Sequence, residues 1–269
     1  MPQGARICGV TTLDNHLYVL RGNKSTEQIE VYDINSYLLL RCVTVPVSNV
    51  RKVSLGDIVA CGHNRCAYIS DYAQCSVHRV ALPGATVTQW PVNGAPHGLS
   101  LTATHSVLVS CCRVRKVKEF STDGQLLHVL ILPHDIASLS HTVQLSRGKF
   151  IVCHGQHDEP SHRVCHLGSD GSVARSYGGP KGSGSLRMNT PSHMAVDRKE
   201  FVFVADVGNH RVLLLSPMLT YVREVVSREQ IEWWPYTIHL DSARQHLYVA
   251  ENEFKDDRWT AGRILVVSI

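Results

Sequence analysis

One pattern recurs six times along this 269-residue chain: short runs of Val, Ile, Leu, Phe and Tyr in sets of four, cut by turn residues. The clearest set opens with Pro191-Ser192-His193-Met194-Ala195-Val196-Asp197, and Val202–Ala205, Val212–Leu215 and Tyr221–Val226 follow it. Short β-branched and aromatic runs bounded by Gly, Asp, Asn and Ser read as strands. The third runs open at Ile29, Val77, Val117, Val164, Val212 and Ile264, which are 48, 40, 47, 48 and 52 residues apart. Four strands per period of that length is the signature of a propeller blade. One blade cannot bury both of its faces, but a ring of blades can. The predicted fold is all-β: a single domain, 1–269, forming a six-bladed β-propeller of four-stranded antiparallel blades at about 6–46, 50–92, 96–133, 139–179, 190–227 and 235–269.

The innermost strands are predicted at Ile7–Leu13, Val50–Leu55, His97–Leu101, His141–Leu145, Ser192–Val196 and Tyr236–Leu240. The sixth set stops at its third run, Ile264–Ile269. Its blade is expected either to take a stub of outer strand from Met1–Ala5 or to remain incomplete with three strands. An open outer edge invites pairing with other chains, so some cover is expected there.

Composition narrows the function classes. Hydrophobic residues at 43% and charged residues at 19% exclude a disordered or collagen-like chain. No apolar run approaches the ~20 residues of a membrane-spanning helix, so no membrane partner is expected. Residues 1–20 carry Arg6, Asp14 and His16 and no apolar leader core, which predicts a cytoplasmic protein. Nine cysteines, an odd count, are then read as reduced thiols rather than a disulfide framework. The net charge of +4 neither requires nor excludes a nucleic-acid partner.

The fifth unit resembles an NHL repeat. Pro191-Ser192-His193-Met194-Ala195-Val196-Asp197 is similar to that family's Pro-x-Gly-Ile-Ala-Val-Asp opening, with His193 in place of Gly. Ala205-Asp206-Val207-Gly208-Asn209-His210-Arg211-Val212 is similar to its Ala-Asp-x-x-Asn-His-Arg-Ile signature. Unit six keeps Leu240-Asp241 and Tyr248-Val249-Ala250-Glu251, and unit three keeps Pro96-His97-Gly98-Leu99. The resemblance implies a propeller used for binding, often the C-terminal part of tripartite-motif ubiquitin ligases, whose top face holds RNA or protein. This sequence shows no RING, B-box or coiled coil.

In a propeller, the residue that opens each innermost strand stands at the channel mouth. Aligning the six units puts Arg6, Arg51, His97, His141, Ser192 and Tyr236 there. Beside them runs Arg113-Val114-Arg115-Lys116, the densest basic segment of the loops on that face. The ligand-binding set is therefore predicted as Arg6, Arg51, His97, His141, Tyr236, Arg113, Arg115 and Lys116, holding a protein partner or RNA, with no cofactor and no catalytic residue. The molecule is expected to be a monomer.

The alternative is a metal-dependent lyase or hydrolase with His97 and His141 as ligands. Pro96-His97-Gly98-Leu99-Ser100-Leu101 is similar to a zinc-binding segment of the peptidylglycine amidating lyase, another six-bladed propeller. That lyase takes three His from alternate blades, whereas the alignment here gives two from adjacent ones. The third would be His193, one residue out of register. Trp233-Trp234-Pro235 is expected to wedge between blades rather than to form an exposed patch.

Overall fold

The structure is a computed structural model, which describes residues 6–22, 27–45, 55–82, 86–156, 158–184, 186–256 and 258–269. Blade one is β1 (Arg6–Leu13), β2 (His16–Gly22), β3 (Glu27–Asp33) and β4 (Leu39–Thr44). Blade two is β5 (Leu55–Cys61), β6 (Cys66–Asp71), β7 (Ser76–Ala81) and β8 (Val87–Pro91). Blade three is β9 (Pro96–Leu101), β10 (Val107–Cys111), β11 (Lys116–Phe120) and β12 (Leu126–Ile131). Blade four is β13 (Leu139–Gln144), β14 (Phe150–His154), β15 (His162–Leu167) and β16 (Val173–Gly179). Blade five is β17 (Pro191–Val196), β18 (Val202–Asp206), β19 (Arg211–Leu215) and β20 (Tyr221–Val226). Blade six is β21 (Trp234–Asp241), β22 (His246–Lys255) and β23 (Arg258–Ser268).

Every blade is an antiparallel meander in sequence order. Each innermost strand touches the next, β1 to β5 to β9 to β13 to β17 to β21, and β21 returns to β1. The ring is a six-bladed β-propeller in which the sixth blade has three strands. The strand pattern follows from this packing. Second strands such as β6, β10, β14 and β18 are buried along their whole length, because neighbouring blades cover both faces. They accordingly read as unbroken apolar runs rather than as alternation.

Outer strands are mostly exposed, and each sends an apolar side chain inward. Val43, Trp90, Leu130, Tyr177 and Val226 stand opposite Ile29, Val77, Val117, Val164 and Val212. All ten are buried. Each inward residue fills the apolar cluster between its own blade and the next. Leu130→Ala is expected to lower unfolding free energy by about 2 kcal/mol, the lower part of the range for a buried Leu, because the cavity opens near the rim. Urea denaturation at constant m-value checks it.

The ring closes between blades six and one through a side chain. Asn252 accepts from the Ile7 N–H at 2.7 Å and donates to the Ile7 carbonyl at 2.8 Å, satisfying one peptide unit as a strand partner would. Gly262 permits the approach: a Cβ there would lie 2.8 Å from Asn252 Oδ1 and 3.0 Å from the Ile7 nitrogen. Met1–Ala5, named above as a source of outer strand, lie outside the described residues.

One innermost strand differs from the expectation. Among the described residues, the innermost strand of blade two is Leu55–Cys61, and the rest of the predicted Val50–Leu55 run lies outside them. Gly56 and Asp57, beyond the predicted run, are inside the strand. Gly56 is there because a Cβ would lie 2.8 Å from Ser70 Oγ and 3.0 Å from the His97 carbonyl oxygen. Arg51 lies outside the described residues.

Candidate functional site

All six innermost strands carry a bulge near their start. The pairing steps from Pro191 opposite Asp206 to His193 opposite Ala205, from Leu139 opposite His154 to His141 opposite Cys153, and from Pro235 opposite Glu251 to Thr237 opposite Ala250. Blades one, two and three shift at the same place. A bulge puts two residues opposite one and re-aims the side chains that follow. Two rings of residues therefore face the channel. The outer ring is Cys8, Gly56, His97, Ser140, Ser192 and Tyr236. The inner ring is Gly9, Asp57, Gly98, His141, His193 and Thr237. His97, Ser192 and Tyr236 occupy equivalent positions, as the sequence suggested. His141 does not: it is one residue deeper, level with His193 and Asp57. Arg6 lies before the bulge.

Both rings are bolted across the axis. In the outer ring, His97 of blade three meets Tyr236 of blade six, its opposite number. His97 Nδ1 lies 3.1 Å from the Ser140 carbonyl oxygen and must donate to it, which leaves Nε2 to accept from the Tyr236 hydroxyl at 3.4 Å. In the inner ring, Asp57 of blade two reaches His193 of the opposite blade five, Oδ2 to Nε2, at 3.1 Å. The same oxygen accepts from the Leu99 N–H at 2.8 Å, and Oδ1 accepts from Ile58 at 2.8 Å. His141 donates from Nε2 to the Leu99 carbonyl at 3.0 Å and stacks on His193, ring centres 3.8 Å apart. Gly98 leaves room for that imidazole, since a Cβ would lie 2.5 Å from His141 Cδ2.

Burial sets the charge states. It pushes His141 down to about 3, helped by the neighbouring His193, so His141 is neutral. Burial also lowers His97. For Asp57, burial works to raise the pKa, but His193 first, then His141 and the Leu99 N–H, outweigh it and hold the carboxyl below its ordinary range. Glu27, buried near Asp71 at the same end of blade one, is pushed up to about 7 by burial.

Among the described residues, Asp57, His141 and His193 are the one group of metal-ligating side chains whose ligand atoms all lie within 4.8 Å of one another. Nδ1 of each imidazole is buried without a hydrogen-bond partner. The two imidazole planes are 24° from parallel, so their in-plane lone pairs run side by side rather than onto one point. The His97–His141 pair fares no better: both nitrogens of His97 and Nε2 of His141 already hold hydrogen-bond partners. The channel chemistry is that of a plug.

The rim around the plug is different. Arg113 and Arg115 are exposed on the β10–β11 turn, and Lys116 begins β11. This turn is on the mouth side, because Cys111 just before it pairs with Pro96 at the start of β9. The Arg113 guanidinium lies 4.8 Å from the Tyr72 ring centre. Acidic residues of the same face are held elsewhere: Asp206 by Arg211 and Asn209, Glu251 by Arg263, Asp71 by His78 and two backbone N–H groups. Among the described residues, Arg113, Arg115 and Lys116 have no carboxylate within ion-pair distance. Arg6, half-buried, spends one N–H on the Leu55 carbonyl at 3.1 Å.

The sequence places the aromatics Tyr72, Tyr236 and Trp259 in the loops of this face but does not reveal that Phe254 joins them. The β22–β23 hairpin is longer than any other and carries Trp259 onto Tyr236, ring centres 6.1 Å apart, with Phe254 against Trp259 at 5.0 Å. Trp234 is 39% exposed and Trp233 lies under Arg263, so this pair belongs to the face and not to a wedge between blades. His210 Nδ1 donates to the Trp233 carbonyl at 3.1 Å, which ties the β18–β19 turn to that tryptophan.

No protein-family model and no curated protein matches the chain in sequence. Solved structures do match in shape. A catalytically inactive virginiamycin B lyase from Staphylococcus aureus, solved with quinupristin, superposes with a TM-score of 0.66 at 9% identity, covering 98% of this chain and 84% of that one. Hydrazine synthase of Kuenenia stuttgartiensis gives 0.68 at 12% identity, covering 98% and 95%. The nidogen/laminin complex gives 0.68 at 17%, covering 88% and 85%. The chain shares their propeller fold. At these identities the likeness is one of fold alone, and the three proteins do different things on it.

Proposed function

We propose that this propeller is a non-enzymatic interaction module that holds an acidic protein segment on its mouth face. The observation that carries the reading is the Arg113–Arg115–Lys116 turn, cationic and without internal carboxylates, on the same rim as exposed Trp234 and Phe254. Arg and aromatic side chains dominate the binding energy of protein interfaces. The cross-channel contacts support the same reading, since they hold His97, Asp57 and Nε2 of His141 to backbone groups and to opposite blades. The NHL-like sequence of blade five fits a fold used for binding. Nine free cysteines, six of them buried, fit a reducing cytoplasmic setting.

The test is fluorescence anisotropy with labelled poly-glutamate and, in parallel, a short oligouridylate, each at low and at physiological salt. Poly-glutamate is expected to bind, to weaken with salt, and to lose about tenfold or more in affinity in the R113A/R115A/K116A triple variant, roughly 0.5 kcal/mol per charge. Equal binding by the variant overturns the reading. Binding of the oligouridylate alone, with a salt slope near −2 as about three phosphate contacts give, assigns the face to RNA instead.

A further inference from the structure

Arg6 stands at the channel mouth with its charge unanswered. It opens β1, two residues before Cys8 of the outer ring, and side chains two apart in a strand share a face. Its guanidinium accordingly acts on Cys8, Tyr236 and His97, which face the channel from blades one, six and three. A guanidinium cannot shed its proton and carries five N–H donors. One of these is spent on the Leu55 carbonyl at 3.1 Å, and another lies against the Cys8 sulfur. Among the described residues, no carboxylate lies within ion-pair distance of Arg6. Glu27 acts on it from farther away, and the buried Oε2 of that residue has no hydrogen-bond partner. A half-buried cation in this state lacks the pairing that such groups ordinarily have.

The setting selects the shape of the counter-ion. The unspent N–H groups belong to a planar fork, which matches the two oxygens of a carboxylate. Burial lowers His97, which stays neutral, so a phosphate dianion would meet a single cation here. Beside the fork stands the Tyr236 ring with Trp259 against it, centres 6.1 Å apart, an apolar wall for the chain that carries the carboxylate. Arg6, His97, Tyr236 and Trp259 are all partly exposed, so this part of the mouth is open to solvent.

We propose that Arg6 is a carboxylate subsite, on which one acidic group of the bound protein segment, a side chain or the chain end, seats against Tyr236 and Trp259. This rests on the reading of the mouth face given above, and it names the group of the partner that enters the channel. Rim charges act mainly on association and a desolvated pair on dissociation, so Arg6 and the Arg113–Arg115–Lys116 turn divide the work.

The Arg6 side-chain Nε–Hε resonance of the nitrogen-15-labelled protein, assigned by its loss in R6K, tests the subsite directly. The probes are acetyl-Ala-Glu-Ala-amide, acetyl-Ala-Ala-Ala with a free C-terminus, and acetyl-Ala-Gln-Ala-amide, at constant ionic strength. A saturating shift is expected with a carboxylate peptide and none with the glutamine peptide. Whichever carboxylate saturates at the lower concentration identifies the side chain or the chain end as the source. In the poly-glutamate titration, R6Q is expected to lose about tenfold in affinity, the low end for a hydrogen bond to a charged group, and R6K less. Three results overturn the proposal: no saturating shift with either carboxylate, an equal shift with the glutamine peptide, or tighter saturation by inorganic phosphate. Undiminished poly-glutamate binding by R6Q, with the triple variant still impaired, also overturns it and leaves the reading of the face intact. A saturating shift in a protein that does not bind poly-glutamate does the reverse: the subsite stands and the reading of the face falls.

Discussion

Asp57→Ala is expected to lower the unfolding free energy by about 3–5 kcal/mol, the sum of about 1–3 kcal/mol for each donor left without its acceptor. The carboxylate is 2% exposed and accepts from three donors that come from three different blades: Ile58 of its own, Leu99 of blade three and His193 of blade five. Its loss leaves the Leu99 N–H buried and unpaired and removes the partner of the His193 ring N–H. It also removes the one side chain that spans the channel at this depth. Asp57→Asn is expected to fall between the two, since the amide can accept on one side only. Chemical denaturation gives the free energy, and the melting temperature should drop by about 10 °C for a chain of this size. A double-mutant cycle with His193→Ala should show a coupling of about 1 kcal/mol or more, since the two groups touch. A cost below about 1 kcal/mol for Asp57→Ala, with no coupling, would mean that blade packing alone holds the channel closed.

Asp57 also marks the limit of what the sequence reveals. The architecture was legible because it rests on periodicity. The third-run residues Ile29, Val77, Val117, Val164, Val212 and Ile264, picked out by spacing, are equivalent to one another in the ring, opposite Leu20, Ser70, Ser110, Cys153, Ala205 and Ala250 of their second strands. Burial on both faces makes the second strands continuous apolar runs, and that signal survives in a single sequence. The site was legible only in part. His97, Ser192 and Tyr236 were aligned correctly because a Pro precedes His97, Ser192 and Tyr236 alike. His141 has Ser140 before it and Leu139 in the place of that Pro, so the bulge shifted it out of its predicted ring. Gly56-Asp57 lay beyond the predicted Val50–Leu55 run, and here the Gly admits a neighbouring backbone and the Asp is satisfied by N–H groups no local pattern reveals. Phe254 was out of reach for a related reason: nothing in the sequence of the last hairpin sets its length against the other blades.

The buried histidines carry the second large expectation, a steep loss of stability on mild acidification. His141 is pushed down to about 3, His154 to about 4 and His239 to about 4, in each case first by burial. A histidine whose folded-state pKa is lowered stays neutral in the folded protein while the unfolded chain takes up a proton below its ordinary value near 6.5. Between pH 6.5 and about 4 the unfolded state therefore binds about three more protons through these groups, and stability falls as pH falls. Glu27 opposes them. Its raised pKa of about 7 means that the folded state holds a proton there which the unfolded chain releases above about 4.5, so this group favours folding in acid and is lost as pH rises through 7. The net difference is about two protons, or roughly 2.5–3 kcal/mol per pH unit near pH 5.5. About 5 kcal/mol is then gone by pH 4, a large share of the 5–15 kcal/mol that holds a typical domain together. Urea midpoints measured from pH 7 to pH 4 should trace this slope. His239→Gln is the control: Gln keeps an oxygen to accept from Thr12, whose N–H and hydroxyl now reach His239 Nε2 at 3.2 and 2.8 Å, but it takes no proton. The variant should lose about half of the slope while keeping most of the stability at pH 7. A flat profile between pH 7 and 5 would show that the unfolded-state protons find no counterpart in the buried rings, and that the histidines titrate in the fold as they do in water.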